Sequence, residues 1–131
     1  MRLHDWPERL QALIDSRMRA PFAWGSHDCC LFVVAAIEAV TGRRVSVAAY
    51  SSERGAFRVL RAMGGFERAV EAAGGRPEPV GLAQRGDVLL VEQAGLFGRA
   101  LAVCGGAQVL AAGPVCLVPV PRARWLAAWS I

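Results

Sequence analysis

The stretch His27-Asp28-Cys29-Cys30-Leu31-Phe32-Val33-Val34 decides the fold of this 131-residue chain. It follows a turn-like segment, residues 21–26, and opens an apolar run with the spacing of a buried helix. Asp28 is a residue type that caps helices, so Cys29 falls in the first turn. There the free backbone N–H groups and the helix dipole lower a thiol pKa. The stretch therefore predicts a nucleophilic cysteine at the start of a buried helix.

The second requirement of a cysteine nucleophile, a base with its own orienting group, is poorly met. The only histidines, His4 and His27, both precede Cys29. His27 is the candidate base, although a partner two residues away is awkward to place across a cleft, and an ordinary polar loop residue is the simpler interpretation. His4 lies near the terminus, where polar residues commonly fray. Neighbouring helical residues point about 100° apart, so Cys29 and Cys30 cannot both face one cleft.

These residues resemble the signature of the NlpC-type cell-wall cysteine peptidases, a branch of the papain-like fold. The first block of that family, P-Y-x-W-G-G and then D-C-S-G-[LF]-V, appears here as residues 21–25 and 28–33. The second block, G-D-[LV]-[VL]-x-[FV], appears in the same order as residues 86–91. The resemblance covers about residues 7–120. It implies that Cys29 is the nucleophile and that Cys30 takes the position of the family's serine.

The same resemblance identifies three altered catalytic positions. The family's H-V-G-[IV]-Y-x-G strand matches residues 100–106, which puts Ala100 at the position of the histidine base. The polar third member falls on Ala111. The tyrosine of P-Y-x-W-G, whose hydroxyl assists near the oxyanion, is Phe22. Three polar catalytic positions are therefore apolar, while the residues that determine the fold are kept.

The resemblance also implies a biological setting. A compact, Arg- and Ala-rich version with D-C-C occurs among the tail genes of phages, prophages and gene-transfer particles. We therefore expect a tail-tip component, in the tail hub or baseplate, with a degenerate catalytic site and a structural or adaptor role. Its partners would be tail-hub or tail-tip proteins, in the virion tail or in the bacterial cytoplasm before assembly. The alternative is an active cysteine peptidase or amidase that cleaves peptidoglycan stem peptides during cell-wall penetration.

Composition predicts one compact domain over residues 1–131. This length suits a single core, and 54% hydrophobic against 20% charged residues argues against disorder. No apolar stretch has the length of a bilayer span, and the N-terminus has no signal-peptide core. The net charge is +4, but the arginines are scattered without a basic, aromatic-interleaved stripe. We expect no membrane span and no nucleic-acid partner.

The four cysteines do not form a metal-binding pattern. None belongs to a C-x-x-C pair and no histidine lies at zinc spacing, so we expect neither a metal nor another cofactor. Cys104 and Cys116 lie in strand-like runs and are interpreted as small buried hydrophobic residues. Asp28 is interpreted as a helix cap, and Asp87, after Gly86, as a turn residue.

Hydrophobic periodicity predicts helices first and strands afterwards, which is an α+β arrangement. The N-terminal helices should pack on a C-terminal antiparallel sheet, and the resemblance makes this the papain-like, NlpC-type fold. An aromatic surface that includes Trp6, Phe97, Trp125 and Trp129 exceeds what a small chain can bury, which indicates a protein contact. The predicted helices span residues 7–18, 29–40, 52–63 and 66–73, and the predicted strands residues 88–92, 100–104, 108–112 and 115–120. Residues 125–131 should pack back on the sheet, and Pro77 and Pro79 mark a crossing segment.

Overall fold

A computed structural model describes all of residues 1–131 and has an α+β architecture. Four helices come first in the chain and six strands follow them, as the periodicity predicts. The helices are α1 (Trp6–Arg17), α2 (Cys29–Thr41), α3 (Glu53–Ala62) and α4 (Phe66–Ala72). The strands are β1 (Arg76–Glu78), β2 (Val88–Glu92), β3 (Arg99–Cys104), β4 (Val109–Ala112), β5 (Leu117–Pro119) and β6 (Trp125–Ser130). No helix is long and apolar enough to cross a membrane.

The strands form one antiparallel sheet in the order β1-β6-β2-β3-β4-β5. β2 lies inside the sheet, where Val88 is paired with Val103 of β3 and with Trp129 of β6. The chain reverses between β3 and β4 at Gly105-Gly106, and Gly106 has a φ of 109°, which favours glycine. β3 and β4 therefore form a hairpin around this turn.

The sheet divides the core into two apolar clusters because alternate strand residues point to opposite faces. Leu90 and Leu101 join the first cluster, which includes α1, α2 and α4. Leu89 and Ala100 join the second cluster on the other face. Cys29 is the one buried residue of α2 that belongs to the second cluster. The Cys29 side chain therefore packs with a different set of sheet residues from the rest of the buried face of α2.

Two local predictions are wrong. The segment with Pro77 and Pro79 contains an edge strand, β1, which pairs with β6; a proline is tolerated there because an edge strand leaves one row of N–H groups unpaired. The strand predicted over residues 115–120 is shorter, at Leu117–Pro119.

The predicted aromatic surface is also wrong in part. Trp129 is only 2% exposed, and its indole N–H donates to Glu71 at 3.1 Å. Trp6 is half-buried under the guanidinium of Arg2, 4.3 Å from the ring centroid. Trp125, also half-buried, donates its indole N–H to the carbonyl of Val120. Most of the surface of these three tryptophan side chains is therefore covered by neighbouring residues of the same chain.

Candidate functional site

The centre of the site is the carboxylate of Asp28, which is fully buried at the N-terminus of α2. One oxygen, Oδ1, accepts the backbone N–H of Leu31 at 2.9 Å. The other, Oδ2, accepts the N–H of Gly25 at 2.9 Å and the hydroxyl of Tyr50 at 2.7 Å. Three donors therefore occupy the carboxylate, so Asp28 is a structural anchor for the helix start rather than a base.

Gly25 lets the turn before α2 approach the segment that carries Tyr50. Its φ is 86°, and a Cβ at this position would overlap the carbonyl oxygen of Tyr50. The turn is closed by a short bridge between Ala23 and His27. The glycine after Trp24 thus has a physical reason, since any side chain would push the Tyr50 segment off Asp28.

Cys29 and Cys30 form a pair of free thiols at the start of α2. Cys29 is 5% exposed and Cys30 half-buried, with their Sγ atoms 3.9 Å apart. A hydrogen bond from Cys30, helped by the backbone N–H of Leu101, lowers the pKa of Cys29 against the opposing effect of burial. The hydrogen bond to Cys29, together with burial, raises the pKa of Cys30. Cys29 is therefore the more readily ionised of the two thiols.

His27 lies close to Cys29 in sequence but makes no hydrogen bond to it. Its Nδ1 lies 2.8 Å from Nη1 of Arg17, and its ring packs edge-on against Phe32 with centroids 5.9 Å apart. Because a guanidinium can only donate, Nδ1 accepts, and the neutral ring carries its proton on Nε2. That Nε2 is buried without a partner. Burial and the nearby charge of Arg17 lower the pKa of His27, and its Nδ1 is engaged by Arg17 rather than by the thiol.

The positions that the resemblance assigns to the base and the third member lie in the same cluster as Cys29. Ala100 and Ala111 are each 1% exposed and belong, with Cys29, to the second apolar cluster. The one side chain that hydrogen-bonds to the sulfur of Cys29 is Cys30. Phe22, at the position of the family's tyrosine, packs edge-on against Trp24 with centroids 4.7 Å apart. The arrangement holds a thiol of lowered pKa and no side chain other than Cys30 in hydrogen-bond contact with it.

Sequence reasoning missed two residues of this site, Tyr50 and Arg17. Tyr50 is the only tyrosine of the chain, and burial, followed by its hydrogen bond to Asp28, raises the pKa of its hydroxyl. It lies 22 positions from Asp28 in a segment without regular structure, so no periodicity connects the two. Arg17 ends α1, where it looks like an ordinary helix-terminal cation.

A second polar cluster surrounds Asp87 at the start of β2. Asp87 accepts the N–H of Gln84, as its predicted turn role requires, and also pairs with Arg2 at 2.8 Å. Beside it, burial and a hydrogen bond to Asp87 raise the pKa of Glu78 to about 7. Cys104 is buried and its thiol donates to the carbonyl of Gly106. Cys116 is only half-buried.

The polar clusters do not combine into a metal centre, because no group of three or more His, Cys, Asp or Glu side chains is arranged to hold an ion. His4 is exposed at the opposite end of α1 from Arg17 and is not part of the site. The structure thus brings Asp28, Cys29 and His27 together in the loop and first turn of α2, but only Asp28 and Cys29 share in the network around the helix start.

Comparison with curated proteins gives no match. The model of one family, described as a domain of unknown function (DUF6950), matches residues 1–131. Because that match spans the whole sequence, the chain belongs to the DUF6950 family.

Proposed function

We propose that this chain is a catalytically degenerate NlpC-type domain of papain-like fold that serves as a structural or adaptor component of a phage-like tail tip. One observation carries the proposal. Cys29 lies at a helix start against an antiparallel sheet, and Ala100 and Ala111 lie with it where the resemblance expects a base and its orienting group. In this proposal the chain keeps the nucleophile position of a cysteine peptidase, and alanine side chains replace the polar residues that would act with it.

The chemistry supports an inactive site. General acid–base catalysis contributes about 10²–10⁴-fold to a rate, and this contribution is lost at Ala100. A donor to the oxyanion contributes about another 10²–10³-fold, and Phe22 supplies no hydroxyl. The thiol of Cys29 is also 5% exposed, which leaves little room for a peptide carbonyl.

An aromatic patch supports a protein partner. Phe97 lies 5.9 Å from Trp24 and 5.6 Å from Phe57, measured between ring centroids. Phe57 is exposed at the edge of a groove that Arg61 and Arg99 also line. Exposed aromatic clusters flanked by arginines are enriched at protein interfaces. A tail-hub or tail-tip protein would dock on this patch.

The adaptor role is tested by co-purification with the neighbouring tail proteins of the same genome. Phe57→Glu should abolish association, because it places a charge inside the contact. Val115→Glu is the matched control, since Val115 is an exposed apolar residue outside the patch. Retained association in Phe57→Glu, or equal loss in both variants, would contradict the proposed contact.

The absence of catalysis is tested on muropeptides with the wild-type protein, Cys29→Ala and His27→Ala. We expect no turnover above that of Cys29→Ala. The second candidate function, an active peptidase or amidase, is favoured by one observation, the lowered pKa of Cys29. Wild-type cleavage that disappears in Cys29→Ala would establish that alternative, and the His27→Ala result would then show whether His27 contributes.

A further inference from the structure

The two adjacent thiols at the start of α2 are suited to bridging by a third atom and poorly suited to bonding to each other. Consecutive Cα atoms are about 3.8 Å apart, below the range of about 4.4–6.8 Å that an unstrained disulfide requires. The Sγ atoms of Cys29 and Cys30 lie 3.9 Å apart. A pyramidal centre with bonds of about 2.3 Å to sulfur and an S–X–S angle of about 100° holds two sulfurs about 3.5 Å apart, so the two Sγ atoms need to approach by only a few tenths of an ångström. A single thiophilic atom can therefore bond to both.

The residues around the two thiols favour a bound atom that needs only two ligands from the protein. Protein zinc sites use three or four ligands, and no third His, Cys, Asp or Glu side chain is arranged to complete such a set here. The nearest carboxylate, Asp28, is occupied by three donors. Trivalent arsenic with one organic substituent takes two thiolates and nothing more from the protein.

An apolar pocket of about 50 Å³ beside Cys30 can accept a small organic substituent such as a methyl group, although it is far smaller than the cavity of about 150 Å³ that holds a benzene ring. The pocket lies between α2, α3, α4 and β3, and every residue that lines it is hydrophobic. Its wall includes Cys30, Val33, Tyr50, Leu60 and Leu101. Since Cys30 is half-buried at this wall, the pocket also gives a reagent a route to the thiol pair.

We propose that Cys29 and Cys30 form a bidentate dithiol site for trivalent arsenicals that carry one small organic group, such as methyl, with that group in the apolar pocket. The step is a condensation without redox change. Two S–H bonds and the arsenic–oxygen bonds of an arsenoso group break, two As–S bonds form, and one water leaves with both protons and the oxygen. Arsenic stays trivalent throughout.

The unequal thiols set the order of the two bonds. The hydrogen bond from Cys30 and the backbone N–H of Leu101 lower the pKa of Cys29, so Cys29 loses its proton more readily than Cys30 and attacks arsenic first. The proton that Cys30 retains then leaves with the oxygen as the second bond closes. This site is independent of the proposed tail function, because it requires neither peptide hydrolysis nor a protein partner.

The test treats the reduced full-length protein with methylarsine oxide, whose methyl group suits the small pocket. We expect one equivalent to bind with loss of water, and the free thiols to fall from four to two. Tryptic mapping locates the adduct, because residues 20–43 carry Cys29 and Cys30 on one peptide and residues 100–122 carry Cys104 and Cys116 on another. The arsenic should be on residues 20–43, should resist a monothiol and should be released by 2,3-dimercaptopropanol.

Variants separate chelation from reaction of a single thiol. Cys30→Ala and Cys29→Ala should each lose retention at least tenfold, with folding verified by circular dichroism, whereas Cys116→Ala should bind as the wild type does. An adduct on residues 100–122, retention that survives in Cys30→Ala, or no adduct on the wild type would each overturn the proposal. The peptide map of the wild type decides the matter even if a variant does not fold.

Discussion

Tyr50 donates its hydroxyl to Asp28 at 2.7 Å and so fastens the irregular segment after α2 to the N-cap of the same helix. The contact spans 22 positions of sequence. Asp28 simultaneously holds Gly25 of the preceding turn and Leu31 of the first helical turn. One buried carboxylate thus joins three backbone segments at the start of α2, beside a thiol that has no histidine partner.

Replacing Asp28 should therefore lower the free energy of unfolding by more than replacing the capping residue of an ordinary helix does. Ser52 is the matched control, because its hydroxyl caps α3 through one exposed bond to Gly55. Ser52→Ala should lower the free energy of unfolding by about 1 kcal/mol. Asp28→Ala should lower it by about 3 kcal/mol or more, because it also leaves buried donors of Gly25 and Tyr50 unpaired. Urea denaturation measures both, and equal losses would contradict the anchor role.

Removing the tyrosine hydroxyl should destabilise the protein on its own. Hydrogen bonds to a charged acceptor contribute about 1.5–3 kcal/mol, so we expect Tyr50→Phe to lose an amount in this range. Ser26→Ala is the control, since its exposed hydroxyl makes only a long 3.4 Å contact to the carbonyl of Ala23. In the double variant Asp28→Ala/Tyr50→Phe the losses should not add. Additive losses would mean that the two residues act separately.

The periodic elements could be predicted from the sequence because each carries a local signal. The start of α2 follows from Asp28 and the apolar run after it, and its end from Gly42, which has a φ of 74°. The edge strand β1 could not be predicted, since Pro77 is unfavourable in strands and only pairing with the distant β6 forms it. The start of α1 carries a misleading local signal, because Asp5 stands at the N-cap but its carboxylate accepts from Arg9 instead of the helix backbone.

The site was predictable only where its residues are neighbours in sequence. Asp28 and Cys29 share one short motif, so their geometry followed from helix capping. Tyr50 reaches Asp28 by tertiary packing alone, and the pairing of Arg17 with His27 joins the end of one helix to the turn before the next. Both contacts depend on how α1 and α2 pack, which residue spacing within either helix does not specify.

The buried imidazole of His27 should make the protein sensitive to acid. Burial and Arg17 lower its pKa below 6.5, so below that pH the unfolded chain binds more protons than the folded one. The free energy of unfolding therefore falls as the pH decreases through this window. His27→Gln should remove this part of the slope between pH 7.5 and pH 5, and His4→Gln at an exposed position should not. If the free energy of unfolding has the same pH dependence in both variants and in the wild type, His27 is not the source of the acid sensitivity.

Glu78 should make the free energy of unfolding change with pH in the opposite direction from His27. One carboxylate oxygen, Oε1, is buried without a donor, and the neighbouring Asp87 is ion-paired with Arg2. The protonated carboxyl of Glu78 can donate to Asp87, whereas the ionised form places a second negative charge beside it. Burial and this contact raise the pKa of Glu78 from 4.5 to about 7.

The sign of the Glu78 effect follows from proton binding. Between pH 4.5 and 7 the folded protein holds a proton that the unfolded chain has released, so stability from this group is complete below pH 4.5 and is lost as the pH rises through about 7. Glu78→Gln keeps a neutral donor for Asp87 and should lose this decline, which moves the pH of maximum stability upward. Urea denaturation at pH 5, 6, 7 and 8 measures the shift, with Glu92→Gln as the exposed control. If Glu78→Gln and the wild type reach maximum stability at the same pH, Glu78 does not share its proton with Asp87 in the folded state.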